Sequence, residues 1–425
     1  MASEFEIFRA PVYSMKKNHF ADYPGGEKIR LLTDLEVTNK RVFVRVDFNV
    51  PMKNGVIQDD TRIRAAIPTI NYLIENGARL ICASHLGRPK GVVDPAYSLE
   101  PVAERLGELL VRPVIFSNDG VGEGVTRQSK DLKPGEIMVL ENLRFHEGEE
   151  KNSSEFAHKL KSLCDVYIND AFGTCHRAHA STAGLPALVS QRAAGFLLEK
   201  EIAALGKLVH NPDRPLISIL GGSKVSDKVK VIEALMVKSE KILIGGAMAY
   251  TFLRALECKV GNSRIEVDLI PMAKKILERS KESRCEIVLP VDHNLGNSFD
   301  NPGTPVFSQN AHIPDGKVAL DIGPKTCELF ARKMAGAQTL FWNGPLGVFE
   351  KPPFNLGTEF VAQAIASHTA KSKICGGGDS VSAVTAAGLE NSFTHISTGG
   401  GASLEMVEGI PMPGIESLKV SPSQT

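Results

Sequence analysis

The residues best suited to chemistry lie in one stretch, Ile217–Leu235, ISILGGSKVSDKVKVIEAL. A β-prone run there ends in Gly221-Gly222. A helix is expected to follow at once, with Val225, Val229, Ile232 and Met236 on its buried stripe. Lys224 and Lys228 would then stand one above the other on the first turns. Two glycines let a ligand approach the backbone, and a helix start offers unpaired N–H groups and a positive dipole end. Two ammonium groups at that place repel unless an anion lies between them, which points to a phosphate chain. An ordinary strand–turn–helix with lysines facing water fits the same stretch. No P-loop pattern occurs. The next strand, Lys241–Ile244, ends in Gly245-Gly246, where a dinucleotide fold would need an acidic ribose-binding residue.

A second group of chemistry-bearing residues is spread over the first half of the chain. The strand RVFVRV (Arg41–Val46) leads into Asp47-Phe48-Asn49, and the helix expected over 61–75 opens with Arg62. An arginine in a first turn opposes the helix dipole, so it wants an anionic partner, which Asp59 or Asp60 could be. Leu80–Ala83 is read as a buried strand ending in Ser84-His85-Leu86-Gly87-Arg88. Ile137–Leu140 leads to Arg144, and Val166–Asn169 leads to His176-Arg177. The Gly-rich turn over 119–124 has no nearby cation and is read as a loop. Singly, each cation is an ordinary surface residue or ion-pair partner. Together they put several fork-shaped cations at strand ends of one sheet, as a small phosphorylated or carboxylated substrate requires.

These residues need a scaffold, and the alternation of strands and helices supplies one: a parallel sheet covered by helices, which binds ligands beyond the carboxyl ends of its strands. Residues 191–209 read as a long amphipathic helix followed by Pro212 and Pro215, after which the alternation restarts. The helix is therefore expected to join two such units. In the second unit three more strand ends carry glycine-rich turns: Asn343-Gly344-Pro345 with Glu350, Gly376-Gly377-Gly378-Asp379-Ser380, and Gly399–Gly401. Asp379 could cap its helix; beside a phosphate chain it could instead hold Mg²⁺. The segment around Asp300–Gly303 reads as loop or hairpin.

Composition narrows the function classes. Lysine plus arginine and aspartate plus glutamate balance at 49 each over 425 residues, and the balance holds in each half, which argues against a nucleic-acid platform. Seven scattered cysteines without metal spacing suit a reducing cytoplasm. No apolar run reaches membrane-span length. The N-terminus lacks a continuous apolar region, so residues 1–28 are read as a loosely held extension.

The strings VRVDFNVP (44–51), TRI (61–63), SHLGRP (84–89), LENLRFH (140–146), NDAFGTCHRAH (169–179), GGSKVSDK (221–228), WNGPLGVFE (342–350), GGGDS (376–380) and STGGGASLE (397–405) closely resemble the phosphoglycerate kinase family, in one order from about Leu32 to Leu418. The resemblance implies two doubly wound, Rossmann-like domains. These are an N-terminal domain over 29–192 to which residues 410–425 return, and a C-terminal nucleotide domain over 193–409 beginning with the joining helix. It implies that 3-phosphoglycerate or 1,3-bisphosphoglycerate binds through Asp47, Phe48, Asn49, Arg62, His85, Leu86, Gly87, Arg88, Arg144, His176 and Arg177. It implies that ATP or ADP binds through Gly222, Lys224, Lys228, Gly245, Gly246, Leu320, Gly323, Asn343, Pro345, Glu350, Gly377, Gly378, Asp379 and Ser380, with Mg²⁺ on Asp379. Arg62, Lys224 and Lys228 are the expected catalytic residues, in a cytoplasmic monomer with hinge-bending domains. Ser380 stands where the family usually has Thr, and Cys175 and Ser223 stand where Ala is common; no charge is lost. A silent metabolite- or nucleotide-binding protein on the same fold is the alternative, which loss of a charged site residue would favour.

The expected chemistry needs no general base. A substrate carboxylate titrates near ~4 and is already ionised at neutral pH. What must be handled is the charge of the phosphoryl group in flight, by positioning and cationic stabilisation.

Overall fold

The computed structural model describes residues 20–23 and 27–420. The chain divides into two compact units, Met1–Ala203 with Met412–Thr425, and Ala204–Pro411. Each is built on a six-stranded sheet whose pairs are all parallel.

In the first unit the spatial order is Arg192–Ala194, Val166–Asp170, Arg41–Val46, Arg79–Ala83, Ile137–Leu140, Ile115–Ser117. Strand interiors such as Val42–Val46 and Val166–Asp170 are buried throughout rather than alternately, as expected when helices cover both faces of a parallel sheet. The chain leaves Arg41–Val46 toward one edge and later returns on its other side, at Val166–Asp170. The turn after Val46 therefore sits at a topological switch point, where α/β sheets open a crevice.

In the second unit the order is Glu286–Val288, Lys241–Ile244, Leu216–Leu220, Thr339–Asn343, Ser372–Gly376, His395–Ile396. Numbered along the chain this is 3-2-1-4-5-6, the order of dinucleotide-binding folds. Its switch point lies between Leu220 and Asn343, where Gly221-Gly222 and Gly344-Pro345 emerge. A small antiparallel sheet, Val306–Phe307, His293–Gly296 and Val318–Ile322, is added to this unit. It gives regular structure to a region read from sequence as loop or hairpin.

Several expectations are corrected. The helix after Gly222 spans Val229–Met236, so Lys224 and Lys228 are not stacked on its first turns. In this turn Glu266 accepts from the N–H groups of Val225 and Ser226 and from the Ser226 hydroxyl, and the Val225 carbonyl accepts from the N–H groups of Lys228 and Val229. The expected helix over 191–209 is divided as well. Arg192–Ala194 pairs at the sheet edge, and the helix runs Phe196–His210. Between them Gly195 lies so close to Asp170 that a Cβ would fall 2.3 Å from its Oδ1. That oxygen accepts from the N–H groups of Leu197 and Leu198 and so caps the helix start. The glycine-rich turn read as a loop opens a short helix, Glu123–Asp131.

The reading of residues 1–28 falls mostly outside the described residues. Within it, Phe20–Tyr23 pairs antiparallel with Glu27–Arg30, whose Ile29 is fully buried and bridges to Lys419. No helix among the described residues is long and apolar enough to cross a membrane.

Candidate active site

In the first unit the sequence-predicted cations gather at the switch point. Arg62 donates to Asp47 Oδ2 at 2.9 Å, so its anionic partner is Asp47 rather than Asp59 or Asp60. Phe48 is fully buried and its N–H donates to the Ser84 hydroxyl. Asn49 Oδ1 accepts from the Gly87 N–H, which ties the two strand-end turns together. The Leu86 carbonyl accepts from Asn142 and the Gly87 carbonyl from Arg144. Gly87 has φ +61°, and a Cβ there would lie 2.3 Å from the Tyr97 ring, so only glycine fits this turn. Arg144 is nearly buried, 3.1 Å from Glu150, and burial holds its guanidinium below the usual range. Arg177 Nε donates to His176 Nε2. Arg88 is exposed.

Three residues under this surface were not singled out from the sequence. Arg45 is fully buried in the central strand and donates to the Ser181 hydroxyl, the Val46 carbonyl and His85 Nδ1. Arginine has no acceptor, so His85 Nδ1 accepts and the proton of the neutral ring sits on Nε2. Burial, with Arg45, Arg144, His179 and Arg62 around it, keeps the His85 ring far below its ordinary pKa and therefore neutral. His179 is buried and pushed down to about 3 by burial and by Arg45, Arg144, Arg177 and His176. Glu149, fully buried, is bonded to the N–H and hydroxyl of Ser181, and burial raises its pKa. The crowding that shifts these groups shows that Arg45, Arg62, Arg144, Arg177, His85, His176 and His179 share one neighbourhood. One strand-interior charge, Arg45 in RVFVRV, was the available signal: an arginine inside a sheet needs several acceptors.

In the second unit a cavity of about 520 Å³ is lined at one end by Gly222, Ser223, Pro345 and Asp379, and along its apolar wall by Tyr250, Val318, Ala319, Leu320 and Val348; Glu350, Asn262, Arg264 and Phe299 also face it. Of the predicted nucleotide residues, Gly222, Gly246, Leu320, Pro345, Glu350 and Asp379 line it. Lys224 is exposed and Lys228 is buried. The Lys228 ammonium donates to the Asn343 carbonyl at 2.7 Å and to its Oδ1 at 2.6 Å. Burial pulls it down to about 7, against the charges of Asp379 and Asp227. Ser380 is buried and its hydroxyl accepts from the Gly344 N–H.

Several glycines serve turn packing. A Cβ on Gly221 would lie 2.0 Å from the Pro345 carbonyl oxygen, on Gly245 2.5 Å from Leu346, and on Gly246 2.6 Å from the Gly222 nitrogen. Gly323 lies against Asp292, away from the cavity lining, at the start of helix Pro324–Met334.

The start of helix Gly378–Ala386 is different. No atom lies within 4 Å of a Cβ placed on Gly378, so the backbone there is open. The Asn343 side-chain nitrogen, buried and without a partner, lies beside Gly377. An anion at this helix start would satisfy that nitrogen and the first-turn N–H groups together. Among the described residues no three His, Cys, Asp or Glu side chains form a metal cluster. A metal here would therefore be held by the exposed Asp379 and completed by phosphate oxygens, the donor set Mg²⁺ prefers.

A family model for phosphoglycerate kinase matches residues 32–410. The chain is 50% identical over 394 residues to a phosphoglycerate kinase of Anaeromyxobacter sp. strain Fw109-5, covering 92% of this chain and 99% of that one. It is 51% identical over 396 residues to that of Acidobacterium capsulatum, covering 91% and 98%. The solved structure of phosphoglycerate kinase from Coxiella burnetii superposes with a TM-score of 0.84 at 39% identity, covering 92% of this chain and 98% of that one. On the model match, these relatives and the shared architecture, the chain belongs to the phosphoglycerate kinase family.

Proposed function

We propose that this protein catalyses reversible transfer of the ATP γ-phosphoryl group to the carboxylate of 3-phosphoglycerate, giving 1,3-bisphosphoglycerate and ADP, as a step of glycolysis. The observation that carries the reading is the basic cluster at the first switch point. Arg45, Arg62, Arg144 and Arg177 stand there against Asp47, Glu149 and Glu150, an excess of positive charge suited to a substrate that bears both a carboxylate and a phosphate. Two of its histidines are neutral by burial and so add hydrogen bonding without further charge.

In the forward step a carboxylate oxygen forms the new O–P bond while the bond from the γ-phosphorus to the bridging oxygen breaks, and ADP leaves with that electron pair. No proton moves, so no base is required. Asp47, Asn49, Arg62, His85, Arg88, Arg144, His176 and Arg177 hold the acceptor. Arg62 stabilises the acyl-phosphate oxygens, and Asp47 keeps its guanidinium in place until substrate arrives. Lys228 serves the transferring phosphoryl group and Lys224 the phosphate chain. Gly222, Gly246, Leu320, Pro345 and Glu350 bound the nucleotide cavity, and the open backbone at Gly378 with the Asn343 amide beside Gly377 receives phosphate. Gly245, Gly323 and Ser380 support the turns around it. Mg²⁺ on Asp379 would neutralise phosphate charge when bound. We also read the protein as a cytoplasmic monomer without nucleic-acid or membrane partners, supported by its balanced charge and its seven free cysteines.

The test is a coupled assay with 3-phosphoglycerate and MgATP that reads ADP formation, run on the wild type and on Lys228→Ala. Turnover that depends on 3-phosphoglycerate and is lost in the variant supports the reading. A folded wild type that binds nucleotide without turnover overturns it.

A further inference from the structure

The turn 223–228 carries both lysines, yet nothing in its own sequence explains why they part company, Lys224 in solvent and Lys228 buried. On a regular helix from 224 onward they would share a face. Three contacts with other segments prevent that. The Gly222 carbonyl accepts from the Met248 N–H at one end, and the Asn343 carbonyl and amide oxygen take the Lys228 ammonium at the other. Between them stands Glu266. Its Oε2 accepts from the Val225 N–H at 2.5 Å and the Ser226 N–H at 3.1 Å, and its Oε1 accepts from the Ser226 hydroxyl at 2.7 Å. Glu266 is itself anchored, because its own N–H donates to the buried Thr251 hydroxyl on helix Met248–Ala255. The same helix holds the Gly222 carbonyl, so the turn and its support form a closed ring.

We propose that Glu266 is a positioning residue for phosphoryl transfer: its carboxylate fixes the 223–228 turn in the form that sends Lys228 inward to Asn343 and leaves Lys224 outside. The proposal rests on the reading that Lys228 serves the phosphoryl group. The chemistry calls for a carboxylate. The two N–H groups need an acceptor, and the charge of a carboxylate strengthens both bonds; a carboxamide would lose that charge and reverse the bond to the Ser226 hydroxyl. Burial pushes the Glu266 carboxyl up, but the bonds from Ser226 and Val225 and the Lys224 charge hold it below its usual value, so it stays ionised. By filling the N–H pair of this turn, Glu266 also keeps a phosphate from docking on backbone there, which leaves Lys224, Lys228 and the Gly378 helix start as the phosphate-facing groups.

The test uses the full chain without nucleotide, pulsed with acetic anhydride, with acetylation of Lys224 and Lys228 read by peptide mass spectrometry. Melting temperature and steady-state kinetics are measured in parallel on the wild type, Glu266→Gln and the milder Ser226→Ala. Lys228 is expected to be protected in the wild type and to label roughly tenfold faster or more in Glu266→Gln, with Ser226→Ala between them and Lys224 unchanged. The kcat of Glu266→Gln is expected to fall on the order of 10- to 100-fold, with the KM for 3-phosphoglycerate and the melting temperature held. Unchanged Lys228 protection in Glu266→Gln overturns the proposal, and so does a rise shared by every buried lysine. A wild type without turnover counts against the proposed function instead, and the labelling then still decides the role of Glu266.

Discussion

Two side chains at the residue scale make opposite demands on charge, and each yields a measurement. Lys228 is buried and drawn down to about 7, so the free protein holds it only partly protonated near neutrality. Its folded pKa lies below that of the unfolded chain. From about pH 7 up to the ordinary lysine range the unfolded state therefore binds more protons, and this group's contribution to stability rises with pH. Phosphates brought to it act in the other direction, raising its pKa and drawing a proton in. Calorimetric titration with a non-hydrolysable MgATP analogue at pH 8, in two buffers of different ionisation enthalpy, should show uptake of a fraction of a proton by the wild type and none attributable to this site in Lys228→Met. Equal proton counts would remove Lys228 from the phosphate's reach. Arg62 bears its charge in the open. Its pair with Asp47 is about one-third exposed on the arginine side, so it stabilises the fold by roughly 0–1 kcal/mol. Arg62→Ala should then lower kcat on the order of 100-fold or more while leaving the denaturant midpoint nearly unmoved; comparable losses in both would reduce Arg62 to a structural residue. Both side chains were legible in the sequence because each follows a strand end or opens a helix. Glu149 and His179 were not, because nothing local marks them; Arg45 was marked only by being a charge inside the apolar strand RVFVRV, and its partners Ser181 and His85 come from far away in the chain.

At the scale of elements, glycine is where sequence and structure part. The runs at strand ends were read as room for a ligand, and the backbone is open at Gly378 and at Gly400-Gly401. At Gly221, Gly245 and Gly246 the room is occupied by protein. Gly323, which the family resemblance alone put among the nucleotide residues, is packed against protein too. Asp292 accepts from the N–H groups of Lys325 and Thr326 and from the Thr326 hydroxyl, capping helix Pro324–Met334 from outside. A Cβ on Gly323 would lie 2.4 Å from that carboxylate. Gly323→Ala is therefore expected to cost stability on the scale of a lost cap, about 1–2 kcal/mol, read as a lower urea midpoint. The KM for ATP should change no more than it does in Asp292→Ala. A variant of unchanged stability with a raised KM would return Gly323 to the nucleotide site. The helix and strand types followed from periodicity, and the parallel sheets followed from their alternation. The displaced helix start after Gly222 did not, because the turn before it is bonded to Glu266, some forty residues downstream.

For the whole molecule, the instructive feature is the return of the chain to its first unit at Met412. In the sequence it was implied only by the family resemblance. The structure shows what the segment does. Met412, Ile415 and Leu418 are fully buried. Gly414 donates its N–H to the Cys175 carbonyl and accepts from the Asn169 amide, and a Cβ on it would lie 2.9 Å from Cys175 Cα. Ser417 donates to the Thr182 carbonyl. The segment thus underpins the turn that carries His176 and Arg177. Three buried apolar side chains contribute roughly 1.5–3 kcal/mol each, a large share of the ~5–15 kcal/mol that holds a typical protein folded. A chain ended at Pro411 should therefore lose much of the stability of its first unit and its affinity for 3-phosphoglycerate. MgADP affinity should persist, because every residue lining the cavity proposed for the nucleotide lies within Ala204–Pro411. Gly414→Ala should give a milder form of the same pattern. Separate calorimetric titrations with the two ligands, beside a melting curve, decide the point. Parallel loss of both affinities would mean that the tail supports the molecule as a whole; loss of the 3-phosphoglycerate affinity alone would make the last residues of the chain a working part of its first site.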